Sequence, residues 1–403
     1  VNAAAQRILT INGGSSSIKF AVFDPTDLSR RELHGSIERI GLPGTLFVAK
    51  GPLPDDNFFR SIEVADHSAA AAALTDFITD RLGQGNLAAI GHRVVHGGPT
   101  YSAPQRIDAE MIAKLGALSA FDPEHLPEEL RLIEAFHKRF PDVPQLACFD
   151  TAFHHDLPRV AQLLPIPRRY EGLGVRRYGF HGLSYTFLME KLSELAGPKA
   201  ARRRIVLAHL GNGASLAAVH DGKSVDTSMS FTPTAGVPMG TRSGDLDPGL
   251  AGYLAHLENM SSEQFSEMAN SHSGLLGISE TSSDMRVLLD NEAHDGRAAE
   301  AVALFCYEVK KRIGAFAAAL GGLDTLVFAG GIGENAPSVR ARVCDGLGFL
   351  GIDLDAARNN RTAEVISSET GRVKVRVIHT DEERVIAQAV THLLASAGEP
   401  KGS

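Results

Sequence analysis

The chain carries one short pattern twice: a strand, a glycine- and serine-rich turn, then a second strand. This repetition limits its fold more than any other feature. The first copy runs RILTIN at 7–12, a Gly/Ser turn at 13–17, then IKFAVF at 18–23. The second runs RIVLAHL at 204–210, Gly211-Asn212-Gly213-Ala214-Ser215, then LAAV at 216–219, with Asp221-Gly222-Lys223 turning into a further strand. Two apolar runs around a Gly-rich turn predict a hairpin, and both turns suit a phosphate group. Copies this short could coincide by chance. The alternative is two related halves, and 403 residues, more than one ordinary core holds, favour it.

Between the copies, 91–97 (GHRVVHG) and 145–149 (QLACF) read as strands ending in polar residues, while 127–140 and 186–196 have helical periodicity. Beyond the second copy, 299–320 predicts a long Ala-rich helix and 325–329 (TLVFA) a buried strand. A Gly-rich loop at 330–335 then leads to a helix over 337–346 with proline in its first turn. A last strand at 373–378 precedes a closing helix over 382–395. Strands alternating with helices predict an α/β architecture. With no linker-like Pro/Ser/Gly block between them, the halves are expected to pack closely around a cleft.

Composition narrows the function classes. Forty Lys plus Arg against forty-eight Asp plus Glu give a net charge of −8, the wrong sign for binding nucleic acid by bulk charge. An anionic ligand must therefore be held by local groups. Cys148, Cys306 and Cys344 are odd in number and far apart, which argues against a disulfide framework or a cysteine zinc site and suits a reducing compartment. The most apolar stretch, 313–323, meets Asp324 well short of the roughly 18 residues of a membrane helix. The opening VNAAAQR lacks the order of a signal peptide. The expectation is a cytoplasmic protein without nucleic-acid or membrane partners.

Several segments carry chemistry. Asn12 through Lys19 places glycines, three hydroxyls and an ammonium within eight residues. Backbone N–H groups beside glycines, with hydroxyls and a lysine, form a phosphate cradle. The GK[ST] ending of a Walker loop is missing and a strand follows, so this is a different cradle or an ordinary turn. Gly331-Ile332-Gly333-Glu334-Asn335, after a buried strand, sits where α/β proteins bind nucleotides; an unliganded turn is the plain alternative. His209 to Gly213 reads the same two ways. Arg93 and Arg242 lie beside glycines at the ends of apolar runs, suited to carboxylate or phosphoryl oxygens or to a structural ion pair. Asp150 closes a buried strand and should face a cation or a metal. His181 is a turn histidine, His154 and His155 are structural or solvent-facing, and Asp245 and Asp247 read as caps. Glu382 and Glu383 complement a helix dipole.

Together these segments resemble the acetokinase family, short-chain fatty acid kinases with a duplicated fold of the actin/Hsp70/sugar-kinase kind. The resemblance rests on LTINGGSSSIKF, GHRVVHGG, CFDTAFH, RRYGFHG, AHLGNGASLAAVHDGKSVDTSMSFTP, MGTRSGDLDP, SGLLGIS with SSDMR, FAGGIGEN and HTDEE, in family order from residue 9 to about 386. It implies a ribonuclease H-like two-domain α/β fold with an interdomain cleft. One domain would comprise 1–150 plus 382–403, the other 151–381. It implies Mg²⁺-dependent (alternatively Mn²⁺-dependent) phosphoryl transfer from ATP to acetate by a homodimer.

By resemblance Asn12 and Glu382 would hold the metal, and Ser15, Ser17 and Lys19 would contact nucleotide. His209, Leu210, Gly211, Asn212 and Gly213, then Asp284, Met285 and Arg286, then Gly331 through Asn335 (including Ile332, Gly333 and Glu334) would bind ATP. Arg93 would bind the carboxylate, Asp150 would be the essential acid, and His181 and Arg242 would stabilise the transferring phosphoryl group. Val95, Phe180 and Pro233 would line the alkyl pocket. Because acetate is already ionised at pH 7, Asp150 is expected to orient Arg93 or magnesium-bound water, not to move a proton. The chain departs from the family at Glu124-His125-Leu126-Pro127, where an apolar residue and His-Asn-Pro are usual. It departs again at Gly182-Leu183-Ser184-Tyr185, where the family has Gly-Thr-Ser-His. A propionate or butyrate kinase, and a non-metabolic actin/Hsp70-type ATPase, are the rival readings.

Overall fold

The computed structural model describes residues 6–14, 16–83 and 85–398, with the side chains of all but 397 and 398. Ser15, one of the expected nucleotide contacts, lies outside the described residues. The chain divides into two compact units. The first comprises residues up to Ala152 and those from Asp381 on; the second runs from Phe153 to Thr380.

In the first unit, β1 (Arg7–Gly13), β2 (Ser17–Asp24), β3 (Asp27–Glu38), β4 (Leu46–Lys50) and β5 (Phe58–Ser61) follow one another as an antiparallel meander. On its other edge β1 pairs in parallel with β6 (Leu87–Val94), and β6 in parallel with β8 (Gln145–Phe149), flanked by β7 (Gln105–Arg106). β1 and β8 are nearly continuous apolar runs because both faces of a central strand are covered. Leu9, Ile11, Phe20 and Val22 share one core with Phe47, Leu74, Phe77 and Phe136. Within it Phe20, Phe47 and Phe77 meet edge to face at centroid distances of 5.3 to 6.2 Å, contacts worth about 0.5–1.5 kcal/mol each beyond burial. The helix His67–Leu82, capped by Asp66 on the Ala69 N–H, and the helix Leu126–Arg139 supply the rest of that core. The closing helix Glu382–Gly398 comes so near β6 that a Cβ at Gly91 would stand 2.4 Å from Ile386 Cγ2.

The second unit is built on β9 (Ile205–Leu210), β10 (Ala214–His220), β11 (Lys223–Thr227), β12 (Thr325–Ala329) and β13 (Lys374–Val377), in the order β11-β10-β9-β12-β13. Three antiparallel strands are followed by two parallel ones, the same order as β3-β2-β1-β6-β8. The repeat read from two hairpins is therefore a repeat of whole sheets. This is the duplicated ribonuclease H-like core of the actin/Hsp70-like fold.

One local expectation changes, and the strand β3 was not foreseen. Residues 330–335 are not a loop; the chain turns directly from β12 into a short helix, Gly330–Asn335. The strand β3 escapes sequence reading because DLSRRELHGSIE is polar and buries only Leu33 and Ile37. Its pairing with β2 overrides its composition. No helix among the described residues is long and apolar enough to cross a membrane.

Candidate active site

The first unit gathers one group of polar residues at the carboxyl ends of β1, β6 and β8. Antiparallel register sets Asn12 opposite Lys19, and the Asn12 amide donates to Glu382 Oε2 at 2.8 Å. Glu382 opens the closing helix, where a carboxylate complements the dipole. Arg93, next to last in β6, donates through Nη2 to Asp150 Oδ2 at 2.7 Å and through Nη1 to the Gly13 carbonyl at 3.1 Å. Asp150 follows β8 directly, is fully buried, and finds in Arg93 the cation that a buried carboxylate requires. Burial works against the Arg93 charge, but Asp150, Glu129 and Glu382 outweigh it and move its pKa upward.

Glu129 gave no sequence signal. It sits one turn into a helix whose charged residues are otherwise solvated, yet it is 3% exposed. Its Oε2 accepts the Val95 N–H at 2.8 Å and its Oε1 lies 3.5 Å from Arg93 Nη1. Burial pushes its pKa up to about 8; Arg93 and the Val95 N–H oppose this, while Asp122 and Asp150 add to it. Burial thus favours the protonated form of Glu129 beside the Arg93 guanidinium.

The second unit builds another group around the β9–β10 turn. His181 precedes the helix Gly182–Ala196 with φ 59° and ψ 26°, a left-handed conformation rare outside glycine and concentrated at functional sites. Its Nδ1 is hydrogen-bonded to Ser215 Oγ at 2.8 Å, and its ring lies 4.4 Å from that of His209. Arg242 donates to the Pro233 carbonyl at 3.3 Å. The loop that carries it is anchored by the Gly240 N–H on the Asn212 carbonyl, 2.9 Å away. A Cβ at Gly213 would stand 3.4 Å from His181 Nε2 and 3.6 Å from Arg242 Nη1. A side chain there would fill the space that both nitrogens approach.

A profile of the Acetokinase family matches residues 7–388. The chain belongs to the acetokinase family. It is 42% identical over 397 residues to a propionate kinase of Citrobacter rodentium, covering 96% of this chain and 97% of that one. It is also 42% identical over 393 residues to an acetate kinase of Rhodopseudomonas palustris, covering 96% and 98%. A solved propionate kinase of Francisella tularensis superposes with a TM-score of 0.89 at 36% identity over 95% of this chain and 98% of that one. Membership makes the protein an enzyme, a kinase that transfers a phosphoryl group from ATP to a carboxylate, and sets aside the non-metabolic ATPase.

Within the acetokinase frame the expected residues separate cleanly. Asn12, Ser17, Lys19, Arg93, Val95, Asp150 and Glu382 belong to the first unit, and the other described ones to the second. Glu334 accepts the Gly330 and Thr380 N–H groups through Oε1 and meets His379 through Oε2, so its carboxylate holds the short helix in place. Asp284 caps the helix Met285–Asn291 and forks onto the exposed Arg286. Asp247 is a cap, as read, but Asp245 instead ties the Gly236 N–H to Arg312. His154 is structural: it is buried, bonded to Ser224 Oγ and the Phe180 carbonyl, and burial lowers its pKa to about 4.

Proposed function

We propose that the enzyme is an acetate kinase: an acetate oxygen attacks the γ-phosphorus of ATP, the bond to the β–γ bridging oxygen breaks, and acetyl phosphate and ADP result. The observation that carries this is the convergence of His181 Nε2 and Arg242 Nη1 beside Gly213. A neutralising guanidinium and a ring donor are what the equatorial oxygens of a transferring phosphoryl group need. Arg93, held on Asp150 and the Gly13 carbonyl, presents a fixed fork for the acid. Acetate needs no base, so Asp150 serves as the anchor of Arg93. His209 to Gly213, Asp284 to Arg286, Gly331 to Asn335, Ser17 and Lys19 take the nucleotide.

Asn12 and Glu382, hard oxygen donors drawn together by their hydrogen bond, fit Mg²⁺, with Mn²⁺ as substitute. Among the described residues no three His, Cys, Asp or Glu side chains form a metal cage, which suits an ion bound largely through phosphate oxygens and water. Bound there, it would neutralise phosphate charge.

Acetate is proposed as the preferred acid because an added methylene costs about 1–3 kcal/mol in a closely fitted alkyl site. The enzyme is further proposed to be a cytoplasmic homodimer. The helix Pro248–Glu258 buries no residue and, with Leu246 before it, exposes Tyr253 and Leu257, an apolar face suited to a second copy of the chain.

Hydroxamate trapping of the acyl phosphate with acetate, propionate and butyrate tests the substrate. Acetate should lead propionate by about 10-fold or more in kcat/KM. Equal values for butyrate would overturn the acetate assignment, and ATP turnover indifferent to any acid would overturn carboxylate phosphorylation.

A further inference from the structure

His181 does not stand alone at its end of the second unit. Its Nδ1 meets Ser215 Oγ at 2.8 Å, and the same oxygen meets the Tyr185 hydroxyl at 2.5 Å. Both partners are fully buried. Tyr185 lies four residues after His181, and its N–H closes the first turn of the helix on the His181 carbonyl at 3.0 Å, so the two residues stand one turn apart. Ser215 comes from a separate element, β10, opposite His209 across the hairpin. The phenol ring is fixed by His154, edge-on at 5.5 Å, and by Phe153 at 5.6 Å. A packed helix, a strand and an aromatic clamp therefore place three polar atoms in a row.

The direction of the row decides which ring nitrogen carries the proton. A hydroxyl has one proton to donate. If Tyr185 donates to Ser215 and Ser215 to Nδ1, the neutral ring keeps its proton on Nε2. If Nδ1 carries the proton instead, it donates to Ser215 Oγ, which can accept from Tyr185 as well, and Nε2 turns a lone pair toward the space beside Gly213. A phenol, with a pKa near 10, is a better donor than an aliphatic hydroxyl, so Tyr185 donates to Ser215 and leaves the Ser215 proton available to Nδ1. Nε2 is also the atom that shares the approach to Gly213 with Arg242 Nη1, and anionic phosphoryl oxygens require a donor there.

We propose that Tyr185 and Ser215 are positioning residues that confine the His181 proton to Nε2, so that the neutral ring presents an N–H to the transferring phosphoryl group. The assignment of the Nε2 proton rests on the geometry above, and its catalytic consequence rests on the proposed role of His181. The chain's tyrosine, in place of the family's histidine, supplies a donor that stays protonated throughout the neutral range.

The test combines histidine ¹⁵N chemical shifts, which report the tautomer, with steady-state kinetics on wild type, Ser215→Ala and Tyr185→Phe. The His181 resonances are identified by their loss in His181→Ala. Wild type should show the Nε2–H form, and both variants should populate the Nδ1–H form. Ser215→Ala should lose about 10-fold or more in kcat, as expected of a mis-set tautomer. Tyr185→Phe should lose less, and KM for ATP and acid should hold within about twofold in both. Tyr185→Phe keeps the ring and its packing, so it remains a valid test if Ser215→Ala unfolds. An Nδ1–H ring in wild type, or variants that keep both tautomer and kcat, would overturn the relay. If His181→Ala itself kept its kcat, the catalytic reading of His181 would fail instead, while the shifts would still decide the tautomer.

Discussion

Replacing Glu129 by glutamine tests how the first unit balances charge around Arg93. In the folded protein burial raises the Glu129 pKa from 4.5 to about 8. Between those values the native state holds a proton that the unfolded chain has released. Stability from this group is therefore complete below pH 4.5, falls as pH rises through the window, and levels off above pH 8. One proton corresponds to about 1.4 kcal/mol per pH unit. Across the window this limits the loss to about 5 kcal/mol, and relaxation and water entry around a buried charge bring it to roughly 2–4 kcal/mol. Glutamine keeps an oxygen for the Val95 N–H and cannot ionise. The variant should therefore lack this slope, and its lead in thermal midpoint over wild type should grow between about pH 5 and pH 8. At 2–4 °C per kcal/mol for a unit of this size, the change is several degrees. Calorimetry across that range, supported by an infrared carboxylic-acid band that wild type has at pH 6 to 7 and the variant lacks, makes the measurement. Wild type and variant melting in parallel, with no such band, would refute a protonated Glu129.

The two arginines should fail differently. Arg242→Ala should lower kcat without a matching rise in KM, since the phosphoryl contact proposed for it would strengthen mainly in the transition state. Arg93→Ala should also raise the KM for acetate and, because it leaves buried Asp150 without its cation, cost stability by about 3–5 kcal/mol. Each should lose about 10²–10⁵ in kcat/KM, and lysine should restore little of it because a point charge cannot reproduce the fork; a near-normal kcat for Arg242→Ala would leave it a structural residue. The Tyr253→Asp, Leu257→Asp double variant should run as a monomer in light scattering while wild type runs as a dimer, and an unchanged mass would place any dimer contact elsewhere.

By itself the sequence determined the two hairpins and the alternation of strands and helices that follows them, but not the outer strands β3 to β5. β12 and β8 are legible because a strand covered on both faces must be apolar throughout, and the two hairpins because a glycine turn between apolar runs has few other uses. His181, Arg242 and Arg93 could be proposed from glycine-flanked motifs and their family order, although they stand before a helix, in a loop and within β6, outside both hairpin turns. Tertiary structure decided what those side chains touch. Glu129 reads as one more solvated helical carboxylate until the fold closes it over Arg93 and raises its pKa. Tyr185 reads only as a departure from the family pattern until β10 brings Ser215 between it and His181. Asp150 could be expected to need a cation, but only the parallel pairing of β6 with β8 supplied Arg93. Periodicity records which face of an element is buried, whereas hydrogen-bond partners and dielectric surroundings arise from residues distant in sequence, and no local pattern encodes them.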